Sequence, residues 1–205
     1  MKIVIVDYGM GNVRSIVGAL NYIGQEDVLV SNQFEDLNNA DRLILPGVGN
    51  FSQAMRRIID LELDKKLVDL VVGNNKSILG ICLGMQLLGR ASTEGELNFG
   101  LGIIDGRVER FEVEGLKVPH VGYNQVIFNE MSRLYKGLST GPDFYFTHSF
   151  RMLSDSSIGA STCQYGGAFV ASFELENVAG VQFHPELSQD NGLQLLRNFV
   201  ELFEC

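Results

Sequence analysis

Ser77-Ile78-Leu79-Gly80-Ile81-Cys82-Leu83-Gly84-Met85-Gln86 is the stretch on which the architecture turns. An apolar, strand-like run leads into a cysteine that has a glycine two residues before it and another two residues after it, and helix-forming residues follow at once. This is the G-x-nucleophile-x-G spacing of a nucleophile elbow. A strand passes into a helix that sharply only where neighbouring positions lack side chains that would collide around the strained central residue. The turn projects the sulfur outward at a helix N-terminus, where unpaired N–H groups and the helix dipole favour thiolate over thiol. An ordinary cysteine in a core strand would be inert. The paired glycines and the strand-to-helix switch argue instead for a nucleophile.

A nucleophile needs a base, and the chain has three histidines: His120, His148 and His184. His184 is best placed, in Val178-Ala179-Gly180-Val181-Gln182-Phe183-His184-Pro185-Glu186. There a second apolar run ends at a histidine, proline stops extended pairing, and a carboxylate follows. Open α/β sheets place their sites at the carboxyl ends of their strands, so a histidine at such an end can reach a neighbouring strand's elbow. Glu186 can fix the imidazole tautomer while the other ring nitrogen takes the thiol proton. Alone, His-Pro-Glu is also compatible with a turn that contains a histidine; beside the elbow, a Cys82–His184–Glu186 triad is the economical reading. Neither His120 nor His148 has metal-ligand spacing to another histidine or cysteine, so no metal site is expected.

Outward from the elbow, strands and helices alternate. Ile3–Val6, 27–31 and Arg42–Leu45 read as short buried strands, and Ser77 to Cys82 as the next. Val13, Ile16, Val17, Leu20 and Ile23 recur at helical spacing until Gly24 ends the segment. A helical pattern from Asn50 to Gly73 breaks near Asp60, and an amphipathic helix runs from Ser188 to Phe203. Between Ile103 and Phe183 the character changes to short β-rich segments with Gly, Asn and Ser turns. The expected fold is α/β: an open, mostly parallel sheet flanked by helices, with antiparallel strands at one side, in a single domain over 1–205. Met10, Met85 and the phenylalanines are expected in the core.

The 205 residues with 45% hydrophobic content suffice for one well-buried domain. A net charge of −9 without a basic run argues against nucleic-acid binding. No apolar stretch has membrane-span length, and Met1-Lys2 leads straight into a strand, so neither membrane insertion nor a signal peptide is expected. The odd set Cys82, Cys163 and Cys205 suggests a reducing cytoplasm, with Cys163 and Cys205 inert.

Gly80-Ile81-Cys82-Leu83-Gly84-Met85-Gln86 together with Gly180-Val181-Gln182-Phe183-His184-Pro185-Glu186 resembles the class I, triad-type glutamine amidotransferases. Within them the chain is most similar to the glutaminase subunits of imidazole glycerol phosphate synthase. The likeness extends through Asp7-Tyr8-Gly9-Met10-Gly11-Asn12, Leu45-Pro46-Gly47-Val48-Gly49, Leu116 to Asn124 and Phe144 to Ser149. It implies hydrolysis of L-glutamine to glutamate and ammonia through a thioester, with no cofactor. It also implies a separate (β/α)₈-barrel cyclase partner, joined as a heterodimer, that uses the ammonia in histidine biosynthesis.

An attacked amide develops an oxyanion, for which the Leu83 N–H at the helix start is one donor. The resemblance supplies a second from Gly49, or less directly Val48. Gln86 shares a helix face with Cys82 and can touch substrate. By resemblance Glu94 recognises the substrate's α-amino group and the Ser149 backbone its amino-acid end. Asn12 and Tyr145 match positions near the ammonia exit, and His120 lies in the partner-facing segment. Tyr123 and Leu187 depart from the family's usual Trp and Lys at positions of partner contact. Those departures leave two alternatives: a paralogous glutaminase feeding an ATP-dependent sugar amidotransferase, or a catalytically silent or redox-sensing relative.

Overall fold

The computed structural model describes residues 1–112 and 115–203 of the chain, so Cys205 lies outside the described residues. Its first half runs β1 (Ile3–Val6), α1 (Val13–Tyr22), β2 (Val28–Ser31), α2 (Phe34–Asn38), β3 (Arg42–Leu45), α3 (Phe51–Asp60) and α4 (Leu63–Val68). A π-helical turn at Asp69–Gly73 extends α4 before β4 (Ser77–Ile81) and α5 (Leu83–Leu87). The long helical stretch breaks after Asp60, where Glu62 takes a left-handed backbone with φ 55°. Short strands follow: β5 (Ala91–Ser92), β6 (Asn98–Phe99), β7 (Arg107–Arg110), β8 (His120–Ile127), β9 (Asp143–His148) and β10 (Phe150–Leu153). Then come β11 (Ser161–Gln164), β12 (Ala168–Leu175), β13 (Val178–Val181), a 3₁₀ turn at Pro185–Leu187 and α6 (Gln189–Leu202).

The central sheet has the order β2-β1-β3-β4-β13-β12-β10-β7-β5-β6. The first five strands are mutually parallel, and from β12 onward antiparallel pairing dominates. Strands β8 and β9 pair with each other, and β8 also pairs with β11 off the main path. Helices cover both faces of the parallel part, and β1, β3, β4 and β13 are therefore buried at every position. Alternation divides β1 between two cores: Val4 and Val6 pack with Phe51, Met55 and Ile58 of α3, while Ile3 and Ile5 pack with Ile16 and Leu20 of α1 and Phe199 of α6. Each such side chain contributes about 1.5–3 kcal/mol by leaving water.

Three expectations need correction. Helix α2 was not foreseen, since five residues are too few to show a helical period. Not every phenylalanine is core: Phe34, at the start of the five-residue α2, is 48% exposed, and Phe99, on the two-residue strand β6 at the end of the sheet, is 74% exposed. Met85 is buried, whereas Met10 is only partly covered. The elbow helix α5 spans only Leu83–Leu87, so its dipole is shorter than an ordinary helix would supply.

Candidate active site

The elbow forms where its sequence places it. Cys82 follows β4 with φ 54° and ψ −111°, a strained backbone for a residue with a side chain. Gly84 is required by contact: a Cβ there would lie 1.8 Å from the Leu45 carbonyl oxygen. A Cβ at Gly80 would meet the Met85 backbone at 2.7 Å. The Cys82 N–H donates to the Val181 carbonyl at 2.8 Å, continuing the β4–β13 ladder in which Ile81 pairs with Val181. That register carries the chain beyond β13 past the sulfur and into His184.

His184 and Glu186 then meet. Imidazole Nδ1 lies 2.9 Å from Glu186 Oε1, and the side chains are 4% and 0% exposed. His184 is anchored by its own N–H to the Tyr145 carbonyl (2.9 Å), and its carbonyl accepts from Ser188 Oγ (2.6 Å). Nε2 and Glu186 Oε2 are both buried, and neither has a hydrogen-bond partner among the described residues. Burial alone would pull the imidazole down; interaction with Cys82 and Glu186 outweighs it and pushes His184 up to about 10. Asn12 enters here as well, donating from Nδ2 to Glu186 Oε1 at 3.4 Å. The position matched to an ammonia exit therefore touches the carboxylate of the pair.

A cavity of about 350 Å³ opens over these groups, lined among others by Cys82, Leu83, Gln86, Glu94, Ser149 and His184. Val48 and Gly49 form part of its wall. The Leu83 N–H is not free: it donates to the Gly47 carbonyl at 3.3 Å. Gln86 spends its amide donors on the Phe150 carbonyl (3.1 Å) and Gln182 Oε1 (2.9 Å). Glu94 Oε2 accepts from the Phe51 N–H at the start of α3 (2.8 Å). The Ser149 carbonyl is taken by the Phe111 N–H at 3.0 Å.

His148 lines the same cavity and forms a buried pair with His120. A carbonyl can only accept, so His148 Nδ1 must donate to Phe150 O (2.8 Å) and its Nε2 must accept from His120 Nδ1 (3.0 Å). His120 Nε2 then accepts from Asn124 Nδ2 at 2.7 Å. Burial holds both rings neutral, His120 down to about 4 and His148 to about 3. Tyr123, Tyr145 and Leu187 gather next to the triad: the two tyrosine rings pack edge to face at 5.5 Å, and Tyr123 Oη donates to the Leu187 carbonyl at 2.7 Å. Tyr123 and Leu187 are 48% and 40% exposed. Burial pushes the Cys163 thiol up to about 11.

Gln182 was missed as a site residue. Its amide nitrogen lies 3.8 Å from Cys82 Sγ, yet within Val-Gln-Phe-His it reads only as a polar residue between apolar neighbours. Pro119 and Thr147, which also line the cavity, gave no signal of their own.

Residues 4–202 match the family described as glutamine amidotransferase class-I. The chain is 46% identical over 202 residues to imidazole glycerol phosphate synthase subunit HisH 2 of Vibrio vulnificus, covering 98% of this chain and 94% of that protein. It is 44% identical over 200 residues to the HisH subunit of Aquifex aeolicus, covering 97% and 96%. A crystal structure of a glutamine amidotransferase shares the fold with a TM-score of 0.73 over 97% of each chain, at 20% identity. The chain thus belongs to the class-I glutamine amidotransferases and, within them, to the family of HisH subunits.

Proposed function

We propose that this chain is the glutaminase subunit of imidazole glycerol phosphate synthase, acting in histidine biosynthesis with Cys82, His184 and Glu186 as its triad. The observation that carries the chemistry is a buried His184–Glu186 pair at 2.9 Å sharing one cavity with a strained cysteine. Near-full-length identity to HisH subunits supports the pathway.

Having passed its thiol proton to His184 Nε2, Cys82 Sγ attacks the glutamine side-chain carbonyl carbon. Collapse of the tetrahedral adduct breaks the C–N bond, and His184 returns the proton to the leaving ammonia. Water then attacks the γ-glutamyl thioester, with His184 as base, and glutamate leaves with the thiol restored. Glu186 fixes Nδ1–H and supports the imidazolium, and Asn12 holds Glu186. The sulfur and backbone donors supply this chemistry without a cofactor.

For the oxyanion, Leu83 N–H is the first donor once Gly47 O releases it. That oxygen belongs to the Gly47–Val48 peptide, so turning the peptide removes the carbonyl and presents the Val48 N–H. On this reading Val48 is the second donor, with the turn taken up at Gly47 and Val48, and Gly49, at φ 100°, follows them in the cavity wall. Gln86 Oε1 and the Ser149 N–H face the substrate, and the Glu94 oxygen not bound to Phe51 receives its α-ammonium group. Ammonia passes to a separate (β/α)₈-barrel cyclase, whose docking surface includes the Tyr123, Tyr145 and Leu187 patch; His120 braces that face from within. None of the helices among the described residues is long and apolar enough to cross a membrane, which fits a cytoplasmic enzyme.

The test is Cys82→Ala in the complex with the cyclase. Glutamine-dependent product should vanish and ammonia-dependent synthesis should persist; retained glutamine hydrolysis would refute the assignment.

A further inference from the structure

The short α5 and the commitment of Leu83 N–H to Gly47 raise the question of which donor, besides His184, meets the Cys82 sulfur. The answer lies in a chain of hydrogen bonds whose polarity can be deduced rather than assigned. Phe150 O is a backbone carbonyl and only accepts, so the Gln86 atom 3.1 Å from it must be the amide nitrogen. The same nitrogen lies 2.9 Å from the Gln182 side chain, which must turn its oxygen toward Gln86. The Gln182 nitrogen then has one direction left, toward Cys82 Sγ at 3.8 Å. Every member is anchored: Gln182 is 0% exposed and its backbone N–H donates to the Ala171 carbonyl at 2.8 Å, while His148 Nδ1 donates to the same Phe150 oxygen at 2.8 Å.

We propose that Gln182 is a positioning residue for the nucleophile, donating its amide N–H to the Cys82 sulfur and stabilising it as the anion on the side away from solvent. A hydrogen bond to an ionised acceptor is stronger than one to a neutral group, so the bond favours thiolate over thiol. It costs little ordering at the moment of attack, because the amide is already held by Gln86 and the buried strand end. The polarity of the bond follows from Gln86, so Gln86 acts on the sulfur through Gln182 in addition to facing substrate. This inference rests on Cys82 being the nucleophile.

The experiment is alkylation of Cys82 by iodoacetamide in the full-length chain, followed by peptide mass spectrometry over a range of pH from about 6 to about 9. The probe needs no glutamine site, and buried Cys163 reports folding in the same digest. Gln182→Met keeps bulk and removes the donor. Its Cys82 alkylation should fall about tenfold at neutral pH, with the rate profile displaced toward alkaline pH, while Cys163 stays protected. A merely structural role would leave the pH dependence unmoved. Should Gln182→Met expose Cys163, Gln182→Asn keeps an uncharged amide but withdraws it from the sulfur by one methylene, and a fall in the same direction is expected. Unchanged rate and profile in a folded variant would overturn the inference. Wild-type Cys82 no more reactive than Cys163 would instead overturn the nucleophile assignment beneath it.

Discussion

Glu186→Gln is the substitution whose consequence can be worked out most fully from the site. Oε1 accepts from both His184 Nδ1 (2.9 Å) and Asn12 Nδ2 (3.4 Å), whereas Oε2 is buried with no partner among the described residues. Glutamine can therefore keep its oxygen in the Oε1 position, bonded to both donors, and put its NH₂ where Oε2 was. The tautomer of His184 is preserved, and the loss is confined to the carboxylate's charge plus one buried donor without an acceptor. A charge-assisted bond contributes about 1.5–3 kcal/mol, which corresponds to a rate loss of roughly 10- to 150-fold. Since Glu186 is one of the groups that push His184 up to about 10, the alkaline limb of the pH–rate profile should also move to lower pH. The assay is glutamate release with the cyclase and its ligand present, beside His184→Asn, which removes the base and should lose far more. A Glu186→Gln loss equal to that of His184→Asn, or none at all, would refute this account of the carboxylate.

Gly84→Ala sets a Cβ against the Leu45 carbonyl at 1.8 Å, with backbone on both sides of the contact. The expected cost is about 3 kcal/mol, or about 6–12 °C in a thermal melt; an unchanged Tm would contradict the elbow packing. His120 and His148 are held below their ordinary value of 6.5, so the unfolded chain binds protons first on acidification. Their contribution is present above pH 6.5 and is lost as pH falls toward 4 and 3, at about 1.4 kcal/mol per pH unit for each ring. Urea denaturation across that window, with His148→Gln flattening the slope, checks it. His184 has the opposite sign: its contribution is complete below 6.5 and is lost as pH rises toward 10. Leu187→Lys, assayed with a cyclase that carries an acidic residue opposite, should strengthen activation if this chain's own partner differs there; activation of the unaltered chain equal to that of Leu187→Lys would show that Leu187 has no bearing on partner choice.

Much of this was legible because it is written locally. The elbow is a ten-residue pattern, and its glycines are dictated by contacts within β3, β4 and α5. Four-residue apolar strands announced the parallel sheet for the same reason, since burial on both faces leaves no polar alternation. What escaped depends on strand neighbours. Gln182 faces Cys82 only because β13 lies beside β4 in the register that pairs Ile81 with Val181. The engagement of Leu83 N–H by Gly47 depends on how closely the loop after β3 approaches the elbow. The His120–His148 chain joins opposite residues of β8 and β9, a pairing that no spacing along the chain announces.

The central claim is that Cys82 carries the γ-glutamyl group during turnover. Its most direct test is acid quench of the chain with cyclase, cyclase ligand and glutamine in the steady state, followed by mass spectrometry of the peptide that contains Cys82. A γ-glutamyl adduct on Cys82, absent in His184→Asn and released as glutamate on further incubation, is the predicted result. Glutamate formation at full rate with the adduct on another residue, or undiminished turnover by Cys82→Ala, would contradict the account.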